Sequence, residues 1–397
     1  STLTLTLPAG LKKDEFTSIM AEVVSSSGKG IDLKTKSDAT AENWGVKVTL
    51  PTYTDGVCDE GTAKVKVTAP KALSLDNETA MLIVTLSKKD GTTLSTSRTL
   101  TSPDKYNSVG NGTAASPYLI YNALQLQSLA TAVNAGYNTT DSCFRMESDI
   151  DLSSVCHKVD GTPENDISWT PIGGDVGGYS RFFNGTFDGN GHKIKSLYIN
   201  QTALDYQGLF GASYKASTIK GLTVYGSVYG NINTSGIVAV NYGTIEDCAS
   251  YVTVNGVGQR AAGIAAFNAG EIKGCSNYGD ISSNATSIAR IGGIAGYSED
   301  GSIIGCSNYG KISGAGNRIG GIAGYTYDNG AIANCRNCGE IVGTGNSDFV
   351  GGIVGEGAIC SVTGCTNSGK VSGYQSVGGI SGYSGIVSGC SNSAAIS

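Results

Sequence analysis

The segment Gly292–Ile312, with the sequence GGIAGYSEDGSIIGCSNYGKI, is the clearest copy of a repeat that runs from about Gly208 to Ser397. The glycines that open successive copies are 27 to 31 residues apart: Gly208, Gly236, Gly263, Gly293, Gly321, Gly352 and Gly379. A period in this range is typical of solenoids, in which each unit buries its apolar face against its neighbours. Each copy holds three short apolar pieces of strand length and no helical pattern, so we predict one coil per copy with two or three strands.

Equivalent positions of the copies carry the same type of residue. One column is predicted to face the core, and its cysteines are predicted to pack there as small buried thiols. The column consists of Leu222, Cys248, Cys275, Cys306, Cys335, Cys365 and Cys390. The position before it holds only Gly, Asn or Asp, the residues that tolerate a positive φ. A second column is predicted to form an amide ladder: Asn277, Asn308, Asn337, Asn367 and Asn392. A third is apolar throughout: Val228, Val254, Ile281, Ile312, Ile341, Val371 and Ile396.

A row of alternating charge favours parallel stacking of the copies over a string of hairpins. It consists of Asp280, Lys311, Glu340 and Lys370. If the coils stack in register, each charge lies over an opposite one, about 4.8 Å away. Because parallel crossovers are overwhelmingly right-handed, we predict an all-β fold built around a right-handed parallel β-helix.

The composition excludes some classes of partner. The chain has 397 residues, which allows two or three domains, and a net charge of −6, which argues against a nucleic-acid partner. No apolar run is long enough to span a bilayer. Five of the eleven cysteines lie outside the column: Cys58, Cys143, Cys156, Cys338 and Cys360. Cys338 and Cys360 replace turn residues of the repeat and could pair.

The residues before the repeat divide into three parts. Residues 1–101 contain several short alternating strands and are predicted to form an immunoglobulin-like β-sandwich, with a type I′ hairpin at Asp90-Gly91. Residues 102–116 are predicted to be a linker. The solenoid is predicted over 117–397, beginning with a capping helix near 122–134 that starts at Asn122 and ends before Gly136. Its predicted apolar stripe is Leu124, Leu129, Ala130 and Val133.

Several motifs in order resemble the GLUG-motif family. They are Ser116-Pro117-Tyr118-x-Ile120, Asp149-Ile150-Asp151-Leu152, Trp169-x-Pro171-Ile172-Gly173, Phe183-x-Gly185-Thr186-Phe187-Asp188-Gly189-Asn190-Gly191-His192 and Gly208-Leu209-Phe210-Gly211. The match covers about Gly110 to Ser397. The resemblance implies a cell-adhesion protein on the surface of Gram-negative gut commensals, usually a lipoprotein. Such regions also occur in the non-catalytic part of certain secreted immunoglobulin-A metallopeptidases, and the resemblance supplies no catalytic residues.

Few residues point to catalysis or metal binding. Asp149, Asp151 and Asp188 could coordinate Ca²⁺, and His157 adjoins Cys156, but each pattern is better explained by surface turns and strands. A polysaccharide lyase or hydrolase would need Asp149, Asp151, Asp188, His192 and Arg181 to meet in one cleft. We predict that the chain is not an enzyme and has no catalytic residues, metal site or cofactor.

The best candidate for ligand binding is a row of aromatic residues, one per copy. The row consists of Phe267, Tyr297, Tyr325 and Tyr383, at a slot that also holds Val240 and Glu356. If the row faces outward it could bind a glycan or protein; otherwise it packs at a corner of the stack. We therefore expect a non-catalytic adhesion protein at the cell surface, an outer-membrane lipoprotein with its lipid anchor upstream. The alternatives are a polysaccharide-active enzyme and a structural spacer. End-to-end self-association through the last coil is also expected.

Overall fold

The computed structural model describes residues 2–4, 16–25, 45–49, 52–55, 57–58, 64–68, 79–101, 110–159, 166–176, 178–285 and 289–397. The chain divides into two compact units, Ser1–Lys105 and Tyr106–Ser397. The boundary falls within the predicted linker. Residues 110–116 of that linker pack with the second unit, since the Cys143 backbone N–H donates to the Gly112 carbonyl at 2.7 Å.

The described strands of the first unit are antiparallel. Thr2–Thr4, Lys64–Thr68 and Gly45–Thr49 form one sheet, Phe16–Ser25, Thr79–Lys88 and Thr93–Thr101 form another, and Tyr53–Thr54 pairs with Val57–Cys58. The hairpin at Asp90-Gly91 is confirmed, but its predicted type I′ turn is wrong. That turn needs a positive φ at both residues, and only Gly91 has one, at +84°. The immunoglobulin-like arrangement of these sheets stays a prediction.

The second unit is a parallel β-solenoid of about nine turns. We name its four walls by their strands. Wall 1 contains Asn233–Ser235, Arg260–Ala262, Arg290–Gly292, Arg318–Gly320, Phe349–Gly351 and Val377–Gly378. Wall 2 contains Phe210–Ser213, Val238–Asn241, Ala265–Asn268, Ala295–Glu299, Ala323–Tyr327 and the first parts of Val354–Thr363 and Ser381–Ser388. Wall 3 contains Tyr118–Ile120, Cys143–Met146, Thr186–Asp188, Thr218–Lys220, Thr244–Glu246, Glu271–Lys273, Ser302–Ile304, Ala331–Ala333 and the second parts of the same two long strands.

Wall 4 changes along the solenoid. Its early strands are Ile150–Asp151, Lys193–Gln201, Thr223–Gly230 and Ala249–Gly256. In four later coils this strand is divided into two pieces: Ser276–Asn277 with Ile281–Ser283, Ser307–Asn308 with Ile312–Gly314, Arg336–Asn337 with Ile341–Gly343, and Thr366–Asn367 with Val371–Ser372. The last coil contributes Ser391–Asn392. A regular coil therefore has five short strands rather than the predicted two or three. The division occurs at a glycine that presses on the coil before it: a Cβ on Gly310 would lie 2.0 Å from the Gly279 carbonyl oxygen.

Equivalent residues of successive coils are hydrogen-bonded neighbours. Ala295 pairs with Ala323, Ile303 with Ile332, and Asn308 with Asn337, all in parallel register. This confirms the prediction that the copies stack in parallel with equivalent residues on top of one another. An antiparallel hairpin, Gly174–Val176 with Tyr179–Arg181, and a 3-10 turn, Leu152–Ser154, interrupt the early coils. The right-handed sense of the solenoid stays a prediction from crossover geometry.

The predicted inward columns are confirmed. The apolar column from Val228 to Val371 is fully buried, and only its terminal member Ile396 is exposed. Every residue before the cysteine slot has a positive φ of 51° to 63°: Gly221, Asp247, Gly274, Gly305, Asn334, Gly364 and Gly389. This left-handed turn directs the following side chain into the core. In the earlier coils the core is instead filled by large aromatic side chains, including Trp169, Phe183 and Phe210.

The predicted capping helix is present at Ala123–Asn134. The Asn122 side-chain oxygen accepts the Gln125 backbone N–H at 3.0 Å, and Gly136 follows the helix with a φ of +98°. The predicted apolar stripe was wrong at Leu124, which is exposed, whereas Leu126 is fully buried. The buried face is the helical set 126, 129, 130 and 133, which follows the three- and four-residue spacing of one helix side.

Candidate functional site

The predicted aromatic row lies in register at the start of wall 2. The ring centroids of Phe267 and Tyr297 are 5.5 Å apart, and those of Tyr297 and Tyr325 are 5.2 Å apart with an interplanar angle of 14°. Exposure varies along the row: Tyr297 is only 8% exposed and Tyr383 is 60% exposed. Tyr383 is separated from the other rings by Glu356, which occupies the same slot in the intervening coil.

Arginines from wall 1 cover these rings. Arg260 lies 5.4 Å from the Phe267 centroid and 5.3 Å from that of Tyr297. Arg290 lies 4.8 Å from the Tyr297 centroid and 5.4 Å from that of Tyr325, and Arg318 lies 4.6 Å from the Tyr325 centroid. We call these six residues the arginine–aromatic corner. Its cation–π contacts stabilise the junction between walls 1 and 2, and a ligand approaching the row meets guanidinium groups before ring faces.

The charges in this corner are unevenly balanced. Arg318 forms an ion pair with Glu356, whereas Arg260 donates to the uncharged Asn233 Oδ1 at 2.9 Å. Burial lowers the pKa of Arg260 and of Arg290, and the neighbouring arginines lower the pKa of Arg290 further. Burial, followed by the carboxylate of Glu299, raises the pKa of Tyr297 to about 12. The phenol is therefore neutral while the guanidinium groups stay charged.

A second aromatic row lies on wall 4, and sequence reasoning missed it. Tyr225, Tyr251, Tyr278 and Tyr309 stack face to face, with centroids 4.6, 4.4 and 4.8 Å apart and interplanar angles of 5° to 10°. We call these four residues the tyrosine stack. Tyr251, Tyr278 and Tyr309 are 39% to 43% exposed. The signal in the sequence was the recurring Cys-Ser-Asn-Tyr-Gly, in which the tyrosine follows a buried Asn and so points outward.

The surface beside the tyrosine stack is polar and carries the predicted charge row. Lys311 Nζ lies 2.8 Å from Glu340 Oε2, and the Lys311 backbone N–H donates to Asp280 Oδ1 at 2.9 Å. Lys370 forms no ion pair with any described residue. The predicted pairing of opposite charges is thus confirmed as an ion pair at Lys311–Glu340, whereas Asp280 contacts the backbone of Lys311. A similar unpredicted row on wall 3 links Asp188 to Lys220 at 3.5 Å and Glu246 to Lys273 at 3.6 Å.

Only some of the residues that a catalytic cleft would require lie close to one another. Asp149 lies 3.5 Å from His192 Nδ1 and 3.1 Å from Lys195 Nζ. The pKa of Asp149 is lowered, first by the Lys193 backbone N–H and then by Lys195. Asp151 instead accepts the Ser153 backbone N–H and begins the 3-10 turn. Arg181 lines a separate cleft of about 410 Å³ with Tyr137, Asn138 and Tyr214.

The described residues contain no group of three or more His, Cys, Asp or Glu side chains arranged to hold a metal ion. A cleft of about 580 Å³ lies in the early coils and is lined by Asn134, Thr170, Asp175, Leu204, Asp205 and Tyr206 among others. Burial, followed by the charge of Asp175, raises the pKa of Tyr206. The cleft therefore offers acceptors and a neutral phenol.

The cysteine column consists of free thiols. The backbone N–H groups of Cys248, Cys306, Cys335 and Cys365 each donate to the cysteine sulfur of the next coil, for example Cys306 to Cys335 Sγ and Cys335 to Cys365 Sγ, both at 3.4 Å. The pKa of Cys275 is raised by burial and that of Cys335 is raised to about 12. Neither Cys338 nor Cys360 takes part in a disulfide, so the bond that the sequence allowed between them is not formed. The Cys58 side chain lies outside the described part.

No protein-family model matches the chain. It is 27% identical to halomucin of Haloquadratum walsbyi over 237 residues, which is 59% of this chain and 2% of halomucin. It is 30% identical over 142 residues, or 35% of the chain, to a "Putative Gly-rich membrane protein" of Evansella cellulosilytica, of which it spans 15%. The chain thus covers a small part of both relatives. In the described residues, no helix has the length and apolar character required to cross a membrane.

One solved structure is similar to the solenoid. It is described as "a putative immunoglobulin A1 protease" from Bacteroides ovatus, with 24% identity and a TM-score of 0.50, and the match covers 65% of this chain and 78% of that chain. At this identity the likeness concerns the fold. It agrees with the parallel β-solenoid described above.

Proposed function

We propose that this chain is a non-catalytic binding protein of the cell surface that holds an extended glycan along wall 4. The observation that carries the proposal is the tyrosine stack: neighbouring rings 4.4 to 4.8 Å apart on a flat, exposed β-face. Rows of exposed aromatic side chains on a rigid scaffold are typical of ligand-binding surfaces.

The geometry of the stack favours one kind of contact. Because each inner ring is covered on both faces by its neighbours, the exposed part is the ring edge and the phenol hydroxyl. The hydroxyls recur once per coil and can each donate and accept a hydrogen bond. A polysaccharide lying along the solenoid axis presents hydroxyls at a regular interval, which such a row can bind repeatedly. The buried columns beneath wall 4 keep the row rigid, so little ordering is required on binding.

The wider setting follows from the resemblance and the comparisons. The matches to halomucin and to a Gly-rich membrane protein support a location at the cell surface. The GLUG resemblance supports adhesion and, more finely, an outer-membrane lipoprotein. In this proposal the solenoid is right-handed and serves as the binding arm, and the first unit is an immunoglobulin-like spacer.

The test is glycan-array binding by the full chain and by the variant Tyr251→Ala/Tyr278→Ala/Tyr309→Ala. We expect the wild type to bind one class of glycan and the triple variant to lose at least about tenfold in affinity, the equivalent of about 1.4 kcal/mol. Losing the ring contacts also destabilises the fold by about 0.5–1.5 kcal/mol per pair. Circular dichroism at the binding temperature should therefore verify that the variant is folded.

Two controls sharpen this test. Tyr374→Ala removes a tyrosine outside the stack that is more exposed than its members, at 63%, and should leave binding unchanged. Tyr251→Phe/Tyr278→Phe/Tyr309→Phe keeps the rings and removes the hydroxyls, so it should bind as weakly as the alanine variant. A wild type that binds no glycan on the array would support the spacer alternative instead.

The enzymatic alternative rests on the proximity of Asp149 and His192. A lyase or hydrolase would release shorter products from the glycan that the array identifies. We expect no products after prolonged incubation. Release of products that His192→Gln abolishes would overturn the non-catalytic proposal.

A further inference from the structure

The arginine–aromatic corner concentrates positive charge on a chain whose net charge is −6. Arg260, Arg290 and Arg318 are paired in register along wall 1, so their backbones are about 4.8 Å apart. Glu356 pairs with Arg318, and Glu299 acts electrostatically on Arg260. Among the described residues, none accepts a hydrogen bond from the Arg290 side chain or forms an ion pair with it. The middle of the row is therefore short of negative charge.

The guanidinium groups are held in place before any ligand arrives. Arg290 lies over two rings, those of Tyr297 and Tyr325, at 4.8 and 5.4 Å. The Nε atoms of Arg260 and Arg290 are buried and have no hydrogen-bond partner. The side chains as a whole are half-buried, so the corner is in contact with solvent. Guanidinium groups fixed in this way lose little freedom when they form paired hydrogen bonds to an oxyanion.

We propose that the corner binds the anionic group of an acidic glycan, a carboxylate or a sulfate, between Arg260 and Arg290. Such a group accepts N–H bonds from both arginines and supplies the charge that the row lacks. The exposed Tyr383 lies three coils beyond Tyr297 along wall 2, about 14 Å away at about 4.8 Å per coil, and offers apolar contact to a more distant sugar of the same glycan. That the anion is part of a sugar rests on the proposed function; the anion site itself does not.

The test is calorimetric titration of the full chain with chondroitin sulfate, chemically desulfated chondroitin and neutral dextran. We expect the wild type to bind at least one acidic chain and Arg290→Gln to weaken that binding by about 10- to 100-fold, the effect of losing charge-assisted hydrogen bonds. If the desulfated chain still binds, the anion in the corner is the carboxylate. If desulfation abolishes binding, the anion is the sulfate. Arg290→Lys keeps the positive charge but loses the planar guanidinium that forms paired hydrogen bonds, so it should recover only part of the affinity.

The matched control is Arg336→Gln, which removes the same charge from an exposed arginine on wall 4. It should change the affinity less than twofold. Equal losses for the two variants, or a wild type that binds neither acidic chain, would overturn the proposal. If Arg290→Gln does not fold, Arg260→Gln carries the same expectation. The triple alanine variant of the tyrosine stack should still bind the acidic polysaccharide. The experiment therefore tests the anion site in the corner separately from the glycan site proposed on wall 4.

Discussion

At the residue scale, the buried asparagines show how a polar side chain becomes a structural element. The Asn308 Nδ2 group donates to the Gly310 carbonyl at 2.9 Å and to Asn337 Oδ1 at 2.8 Å, while its own Oδ1 accepts from Asn277. The residue is fully buried. A buried amide is stable only when its donors and acceptor are paired; Gly310 of the same coil supplies one partner, and the coil-to-coil register supplies the other two.

We predict that Asn308→Ala lowers the free energy of unfolding by about 2–5 kcal/mol, because it leaves donors and acceptors of two neighbouring coils unpaired at about 1–3 kcal/mol each. Chemical denaturation followed by circular dichroism measures the effect. Asn392→Ala is the matched control, since Asn392 ends the same ladder and is exposed. Its effect should stay below about 1 kcal/mol. Equal losses at both positions would show that the ladder does not act through burial.

At the element scale, two glycines of one coil have different reasons to be glycine. Gly305 has a φ of +62° and open space where a Cβ would be. Asp247 and Asn334 hold the equivalent position in other coils, so the requirement is conformational. At Gly310 the obstacle is steric, because a Cβ would lie 2.0 Å from the backbone of the coil before it. The first glycine makes a turn, and the second permits coil-to-coil contact.

We therefore predict unequal effects from the same substitution. Gly305→Ala should destabilise the fold by about 1–2 kcal/mol, the left-handed penalty for an L-residue, and Gly305→Asn by less. Gly310→Ala should cost about 3 kcal/mol or more, because the backbone itself must move. Thermal unfolding of the three variants provides the comparison. A Gly310→Ala protein as stable as Gly305→Ala would contradict the close approach of the coils.

At the scale of the whole solenoid, the two ends differ. The helix Ala123–Asn134 packs its buried face on the first coils. The last coil, by contrast, exposes the apolar side chains of Ile386, Val387 and Ile396. Strands with free backbone groups and exposed apolar side chains tend to pair with another chain.

We predict that this chain associates with itself through the last coil. Sedimentation velocity should show a mass that increases with concentration, and Ile386→Lys/Val387→Lys should restore the monomer by charge repulsion at the interface. Val257→Lys, which alters an exposed valine away from this coil, should not. A wild type that remains monomeric at all concentrations tested would disprove this association.

The sequence by itself determined the repeat, the inward columns and the turns. These features are periodic and local: the same residue recurs at each coil, and a residue such as Asp247 reports its own backbone conformation. The predicted number of strands per coil was wrong because the apolar pieces of one copy do not show where a strand is divided, and the later coils divide the wall 4 strand into two short pieces.

Only the tertiary structure decided which outward side chains meet. Arg290 contacts Tyr297 in its own coil and Tyr325 in the next, and Asp149 contacts His192 43 residues away (192 − 149). Alternation along a strand says which face a residue takes, but the neighbouring wall decides what covers it. Tyr297 and Tyr278 occur in equivalent coils, and Arg260 and Arg290 of wall 1 cover the first, whereas the second is open to solvent.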